Sequence, residues 1–383
     1  MTLAVEALLD RARAESGLQD LGDPWFVEPL TRLVDDVNRD AGLLSPESSA
    51  GARIQGALSD RLKLVQYFKD YPAAKDERIE LACAIIGLPR TGSTMMHRVL
   101  AASPKLTALW WWETAFPFPL PGEERENPSP RQHAAKAMVD WLLNEWPDFE
   151  SIDPMDAMDI NEEVVLLDRT FLSTTFDSMM PIHAYGYWQA EQDHEPAIRD
   201  LYRFMQAIQH QRRMRGEAIR PWVFKTPHYV LGALDGLLKV WPDVKLVMTH
   251  RNVIDVLPSY CSMCASLSVN SSTTYRKELQ GQHWSRRFRE GLERLEAIRA
   301  RLPQDQVIDV RYDDTVGNPL GTAQRVMSAL NLGFDEADCR AVEQAIAQNA
   351  REARPRHRYA AADFGILPDD IASTFAFYHE RYL

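Results

Sequence analysis

The sequence predicts an α/β protein in three layers, a central parallel sheet with helices on both faces. Three observations carry this. Short apolar runs recur at 80–87, 222–225, 244–250 and 307–312. Stretches with helical spacing of apolar residues separate them, notably 197–215, 229–240 and 288–301. Each run ends in a turn rich in polar or charged residues. Strands alternating with helices favour a parallel sheet, because each crossover helix covers one of its faces. In such sheets ligands bind outside the carboxyl ends of the strands, so turns far apart in sequence face one crevice.

Taken in order, residues 1–75 read as amphipathic helices, with Leu8, Leu9 and then Leu30, Leu33, Val34 and Val37 at helical spacing. Asp23-Pro24 is a helix start, and 45–51 is a small-residue connection. This part offers packing surface and no chemistry, and is expected to be an extension on a single domain spanning 1–383. The run Glu80–Gly87 is a buried strand, followed by a loop and a helix over 94–102. Residues 116–190 interrupt the alternation with Pro117, Pro119, Pro121, Pro128 and Pro130 and then a methionine- and aromatic-rich stretch. They are expected to form a helical insertion beside an acceptor pocket. After the strand ending at His250, Asp255 is the expected N-cap of a helix that takes Pro258 in its first turn.

Composition narrows the function. The chain has 383 residues, 45% apolar and 26% charged, as in an ordinary globular protein. A net charge of −12 argues against general nucleic-acid or anionic-membrane binding. An anionic ligand then needs a local basic site. No apolar run approaches the roughly 18 residues of a membrane span, and the first fifteen residues lack the pattern of a signal peptide. Four scattered cysteines suit a reducing compartment, so a cytoplasmic protein is expected. Cys261 and Cys264 form a C-x-x-C without further ligands at metal spacing, and read as buried helix cysteines with no metal.

The most informative segment is Gly87-Leu88-Pro89-Arg90-Thr91-Gly92-Ser93-Thr94. It has the frame of a phosphate-binding loop, in which backbone N–H groups at a helix N-terminus cradle phosphate oxygens. The lysine of an ATP- or GTP-splitting loop is replaced by Ser93, which disfavours γ-phosphate transfer. The positive charge lies at Arg90 instead. Later, Arg251 ends an apolar strand and Ser259 follows in the next helix. An arginine and a hydroxyl so placed can grip one phosphate together.

Arg90 to Thr94, then Lys225-Thr226-Pro227-His228, then Arg251 with Ser259, in this order, resemble the sulfotransferases that use 3′-phosphoadenosine 5′-phosphosulfate (PAPS). Tyr312-Asp313-Asp314, Asn318-Pro319 and the tail around Arg356 to Tyr359 and Asp363 to Gly365 are similar to the bacterial branch of that family. The resemblance runs from about Glu80 onward. It implies a P-loop NTPase-like fold and transfer of a sulfonate group to a hydroxyl or amine without metal. It also implies that Arg90, Thr91, Gly92, Ser93 and Thr94 hold the 5′-phosphosulfate and that Arg251 and Ser259 hold the 3′-phosphate. Arg356 and Arg358 would stand in for a basic tail motif that is not visible. Arg90 and Lys225 would neutralise charge on the leaving group.

Two features depart from the cytosolic phenol and steroid enzymes: Arg90 replaces their loop lysine, and Pro227 is inserted before His228. For the general base the resemblance offers Glu113, after Trp110, Trp111 and Trp112, or His228. His97 reads as packing in the first helix or lining the cleft, and His183 and His194 read as structural, with contact to the acceptor as the alternative. The aromatic and methionine residues at 110–112, 116, 118, 171, 176, 179, 180, 185 and 187 suggest an apolar acceptor such as an alcohol, phenol, sterol or lipid. The alternatives are a PAPS- or nucleotide-binding protein without transfer, and a P-loop kinase.

Overall fold

The computed structural model describes residues 2–43, 49–146, 149–152, 154–269, 271–348 and 359–383. Its sheet has four parallel strands in the order β4-β1-β5-β6: β1 is Leu81–Gly87, β4 Trp222–Lys225, β5 Lys245–His250 and β6 Val307–Arg311. A second, two-stranded antiparallel pair joins β2, Leu109–Trp110, to β3, Ile160–Asn161. The four predicted strands are thus all present, within one residue at each end.

Both faces of the sheet are covered, and the strand sequences show why. Successive side chains of a strand point to opposite faces. Cys83 and Ile85 of β1 and Val223 and Val247 of its neighbours pack with Met96, Leu100 and Val326 on one face. Ala84, Ile86, Phe224, Leu246 and Met248 enter the larger core on the other, with Leu201, Phe204 and Val256. Strands buried on both faces read as continuous apolar runs rather than alternating ones.

The helices before β1 are Val5–Ser16, Val27–Asp36 and Ser49–Asp70. Asp23 caps a short 3-10 turn as expected, accepting the Trp25 N–H at 3.1 Å, with Pro24 at the first position. Residues 45–48 of the expected connection lie outside the described residues, and 49–51 already belong to the third helix. These helices pack chiefly on the far part of the insertion: Leu30, Leu33, Ile54 and Leu58 share a core with Phe171, Phe176, Met180 and Tyr185. A buried ion pair crosses the same seam, Arg169 to Asp60 at 3.1 Å, and another ties these helices to the helix Glu195–Met214, Arg61 to Asp200 at 2.6 Å.

Three local expectations are corrected. The helix after β5, Val253–Ser268, is capped by Asn252, whose side chain accepts the Ile254 N–H at 3.0 Å; Asp255 lies inside the first turn. Pro258 is consequently the sixth helical residue and leaves the Ile254 carbonyl without its N–H partner. The stretch 229–240 is not one helix, because Gly232 breaks it with φ +152° between a π-turn and the helix Leu234–Val240. The helix expected over 288–301 starts earlier, as Gln280–Arg299. Among the described residues no helix is long and apolar enough to cross a membrane.

Candidate functional site

The carboxyl ends of β4, β1, β5 and β6 lie side by side, which brings Lys225, the 87–92 loop, Arg251 and Tyr312 to one edge of the sheet. The central position of β1 explains the loop's shape. Gly87 has φ +136°, and a Cβ there would meet the Thr249 carbonyl oxygen at 2.6 Å. The chain can therefore leave β1 against β5 only as glycine. Thr91 ties the loop down: its hydroxyl donates to the Leu88 carbonyl and contacts the Thr249 hydroxyl, both at 2.7 Å.

Gly92, at φ +82°, is the N-cap of the helix Ser93–Ala101, and no side chain caps that helix start. A Cβ on Gly92 would approach the Tyr312 ring at 3.0 Å. Without a capping side chain the first N–H groups of the helix face the crevice, with the Ser93 and Thr94 hydroxyls in the first turn. This is the arrangement that binds an anion through backbone donors and the helix dipole.

Arg90 is one of three described non-glycine residues with positive φ, at +65°. That conformation turns its side chain across to the helix after β5, where Nε donates to the Ser259 hydroxyl at 3.1 Å. Arg251 Nη1 donates to the Arg90 carbonyl at 3.0 Å, and its guanidinium lies over the Tyr312 ring, 4.1 Å from the centroid. A carboxylate, Asp255, stands 3.9 Å from Arg251. Arg90, Arg251 and Ser259, predicted from separate motifs, therefore converge on the glycine loop, and Tyr312 joins them. Arg356 and Arg358 lie outside the described residues.

Lys225 is buried at the end of β4, where its ammonium pairs with Glu162 and its backbone N–H donates to Glu163 Oε2 at 2.9 Å. Burial pushes the Glu163 carboxyl up to about 7, with the Tyr229 hydroxyl beside it. Glu162 keeps a quarter of its side chain exposed. Neither glutamate stands out in sequence, since the two lie 63 and 62 residues before Lys225 and follow other acidic residues, Asp156 and Asp159. A basic residue ending a buried strand does signal that some carboxylate must meet it.

The two expected bases are engaged elsewhere. Glu113 is buried in the fork of Arg212, with Oε1 2.8 Å from Nε and Oε2 2.5 Å from Nη2, and Oε2 also accepts the Trp110 N–H at 3.0 Å. Both oxygens are thus committed to anchoring β2 to the helix Glu195–Met214. His228 is fully buried and its Nδ1 faces the Thr174 N–H at 3.2 Å, so it orients the start of the helix Thr174–Met179. Burial and the nearby His194 and Arg287 hold its pKa well below the usual histidine range, leaving it neutral at pH 7. His97 and His194 are likewise buried and neutral.

The expected acceptor-pocket residues divide. Phe171, Phe176, Met179, Met180 and Tyr185 are core, packed on the N-terminal helices. Trp112 and Phe118 are buried as well, whereas Trp110 is exposed and Trp111 and Phe116 are partly so. Trp110 pairs with Ile160 across the small sheet, two residues before Glu162. The C-x-x-C cysteines are free and buried in the helix after β5, with their thiol pKa values pushed up by burial.

A family model described as "Sulfotransferase family" matches residues 83–336. Sulfotransferase STF1 from Mycobacterium tuberculosis H37Rv has a similar crystal structure, with a TM-score of 0.85 at 28% identity over 98% of this chain and 99% of that one. Sulfotransferase STF9 from Mycobacterium avium has the same fold, with a TM-score of 0.84 at 21% identity over 98% and 96% of the two chains. No curated protein sequence matches with significance.

Proposed function

Because this chain belongs to the sulfotransferase family, we propose that it transfers the sulfonate group of PAPS to the hydroxyl of an apolar small molecule. The observation that carries the proposal is the convergence of Arg90, Arg251, Ser259 and Tyr312 on an uncapped, glycine-led helix start, with Lys225 at the adjacent strand end. Two phosphate groups of one nucleotide fit this division. The helix start and the Ser93 and Thr94 hydroxyls suit the 5′-phosphosulfate, and Arg251 with Ser259 suits a 3′-phosphate.

Transfer breaks the bond from sulfur to the bridging phosphate oxygen and forms one to the acceptor oxygen. As in phosphoryl transfer, such a step depends on alignment and charge stabilisation more than on covalent help. In this reading Lys225 neutralises the departing oxygen, and Arg90 stabilises charge spread over the sulfonate. The acceptor must also lose its hydroxyl proton. Glu162 suits that role better than Glu113 or His228: it touches Lys225, keeps an exposed edge, and follows the strand paired with Trp110. The exposed Trp110 and partly exposed Trp111 and Phe116 supply an apolar wall beside it, which favours an alcohol, phenol, sterol or lipid over a sugar.

The test is calorimetric binding of 3′-phosphoadenosine 5′-phosphate to wild type and to Arg251→Ala. Charge-assisted bonds of this kind contribute about 1.5–3 kcal/mol, so affinity should fall roughly 10- to 100-fold. Absence of binding to wild type, or stronger stabilisation by ATP with magnesium than by PAPS, would overturn the proposal.

A further inference from the structure

We propose that Asp177, His183 and His283 form a structural site for a first-row divalent cation of the zinc type, binding two helices of the insertion to the helix Gln280–Arg299. The three lie apart in sequence. Asp177 is in the helix Thr174–Met179, His183 begins the helix His183–Ala190, and His283 lies in the first turn of Gln280–Arg299. One ligand atom from each falls within 4.8 Å of the other two. His283 Nε2 is 3.1 Å from Asp177 Oδ2, and His183 Nδ1 is 3.5 Å from Asp177 Oδ1. A tetrahedral ion with bonds of about 2.0–2.1 Å holds its ligand atoms about 3.3 Å apart.

Three further observations point to a ligand. Asp177 Oδ1 and His183 Nδ1 are buried, face each other, and make no hydrogen bond of good geometry. At 3.5 Å the contact between them satisfies neither well, and a shared cation would satisfy both. Next, the other nitrogen of His283, Nδ1, is 3.2 Å from the Tyr187 hydroxyl. Such an outer partner fixes the ring's orientation, as is usual for ligating histidines. Finally, Gly186 has no Cβ where one would stand 2.0 Å from Asp177 Oδ2, so the local chain makes room for the carboxylate to point inward.

Two nitrogens and one oxygen suit zinc, and leave a fourth position for water. His183 is 30% exposed at a cleft lined by Arg39, Thr274 and Gln280, which gives that water and the ion a path. Arg287 Nε stands 3.9 Å from Asp177 Oδ2. Its charge repels a cation and lowers the expected affinity. None of the three ligands is among the residues that converge on the glycine loop, so the ion would stiffen the fold and take no part in transfer.

The experiment titrates metal-free full-length protein with zinc ions alone, by calorimetry and thermal shift, and with cobalt ions by visible absorption. One equivalent should bind and raise the melting temperature, and cobalt should give the intense bands of a four-coordinate site. His183→Gln, at a partly exposed position that should not disturb folding, should weaken binding about tenfold or more and abolish those bands. His283→Gln should do the same. Failure of wild type to bind one equivalent overturns the proposal, as does binding unchanged in His183→Gln. Because neither readout involves PAPS or turnover, failure here leaves the transferase reading untouched.

Discussion

Arg90 and Arg251, at the ends of β1 and β5, meet a hydroxyl, a carbonyl and an aromatic ring, with one carboxylate at 3.9 Å. Arg53, Arg61, Arg169 and Arg212, among the helices before β1, the insertion and the helix Glu195–Met214, each meet a carboxylate at 3.1 Å or closer. The two regions use the same side chain for opposite ends. Where an arginine is neutralised inside the chain, its fork becomes a rivet whose removal strands a buried charge. Where it rests on neutral partners, its charge is held in place and left for an anion that the chain does not supply. In a protein of net charge −12, this distinction supports the proposed anion site better than the count of basic residues does.

The comparison can be broken from the riveted side first. Arg212→Ala removes the nearer of the two arginines on buried Glu113, leaving Arg215 at 3.6 Å, and should cost up to about 3 kcal/mol of stability in urea denaturation. Nucleotide binding to the fraction that remains folded should hardly change. Loss of that binding in a folded variant would mean the two regions are not separable. On the other side, Lys225→Met should lower the rate of sulfonate release from PAPS by about 10²–10³, the usual effect of removing one group that stabilises transition-state charge. An unchanged rate would remove Lys225 from the chemistry.

The boundary between the regions is sharpened by Glu163, which holds the Lys225 N–H. Burial raises its folded-state pKa to about 7 from an ordinary value of 4.5. Its contribution to stability is therefore complete below roughly pH 4.5 and is lost as pH rises through about 7. Relative to Glu163→Gln, wild type should lose up to about 3 kcal/mol between roughly pH 4.5 and pH 8. Denaturation midpoints that run parallel for both proteins across that range would show that Glu163 is ionised throughout.

Much of the sheet side was readable in the sequence. Strands buried on both faces are short apolar runs, and a glycine-framed loop after such a run has few other uses. Arg251 and Ser259 could be placed because the strand-turn-helix grammar fixes their position relative to the loop. The insertion was read poorly for a physical reason. Residues in and around it are defined by partners from other elements: Glu162 of the insertion by Lys225, Glu113 just before it by Arg212, and His228 by Thr174 of the insertion. Aromatic and methionine side chains at helical spacing serve a pocket or a core equally well, and Phe171, Phe176 and Tyr185 serve the core. Asp177, His183 and His283 likewise share no spacing that a single helix would show.

The backbone of Arg90 has a consequence for how this position tolerates change. An L-residue held at φ +65° is disfavoured by roughly 1 kcal/mol or more, and glycine or asparagine would sit there with less cost. Neither would carry a guanidinium to Ser259 and the crevice. Folding and chemistry thus rank the amino acids at residue 90 in opposite orders. The side chain that the loop geometry resists is the one the proposed anion site needs, so selection for a sturdier scaffold alone would drift away from arginine here.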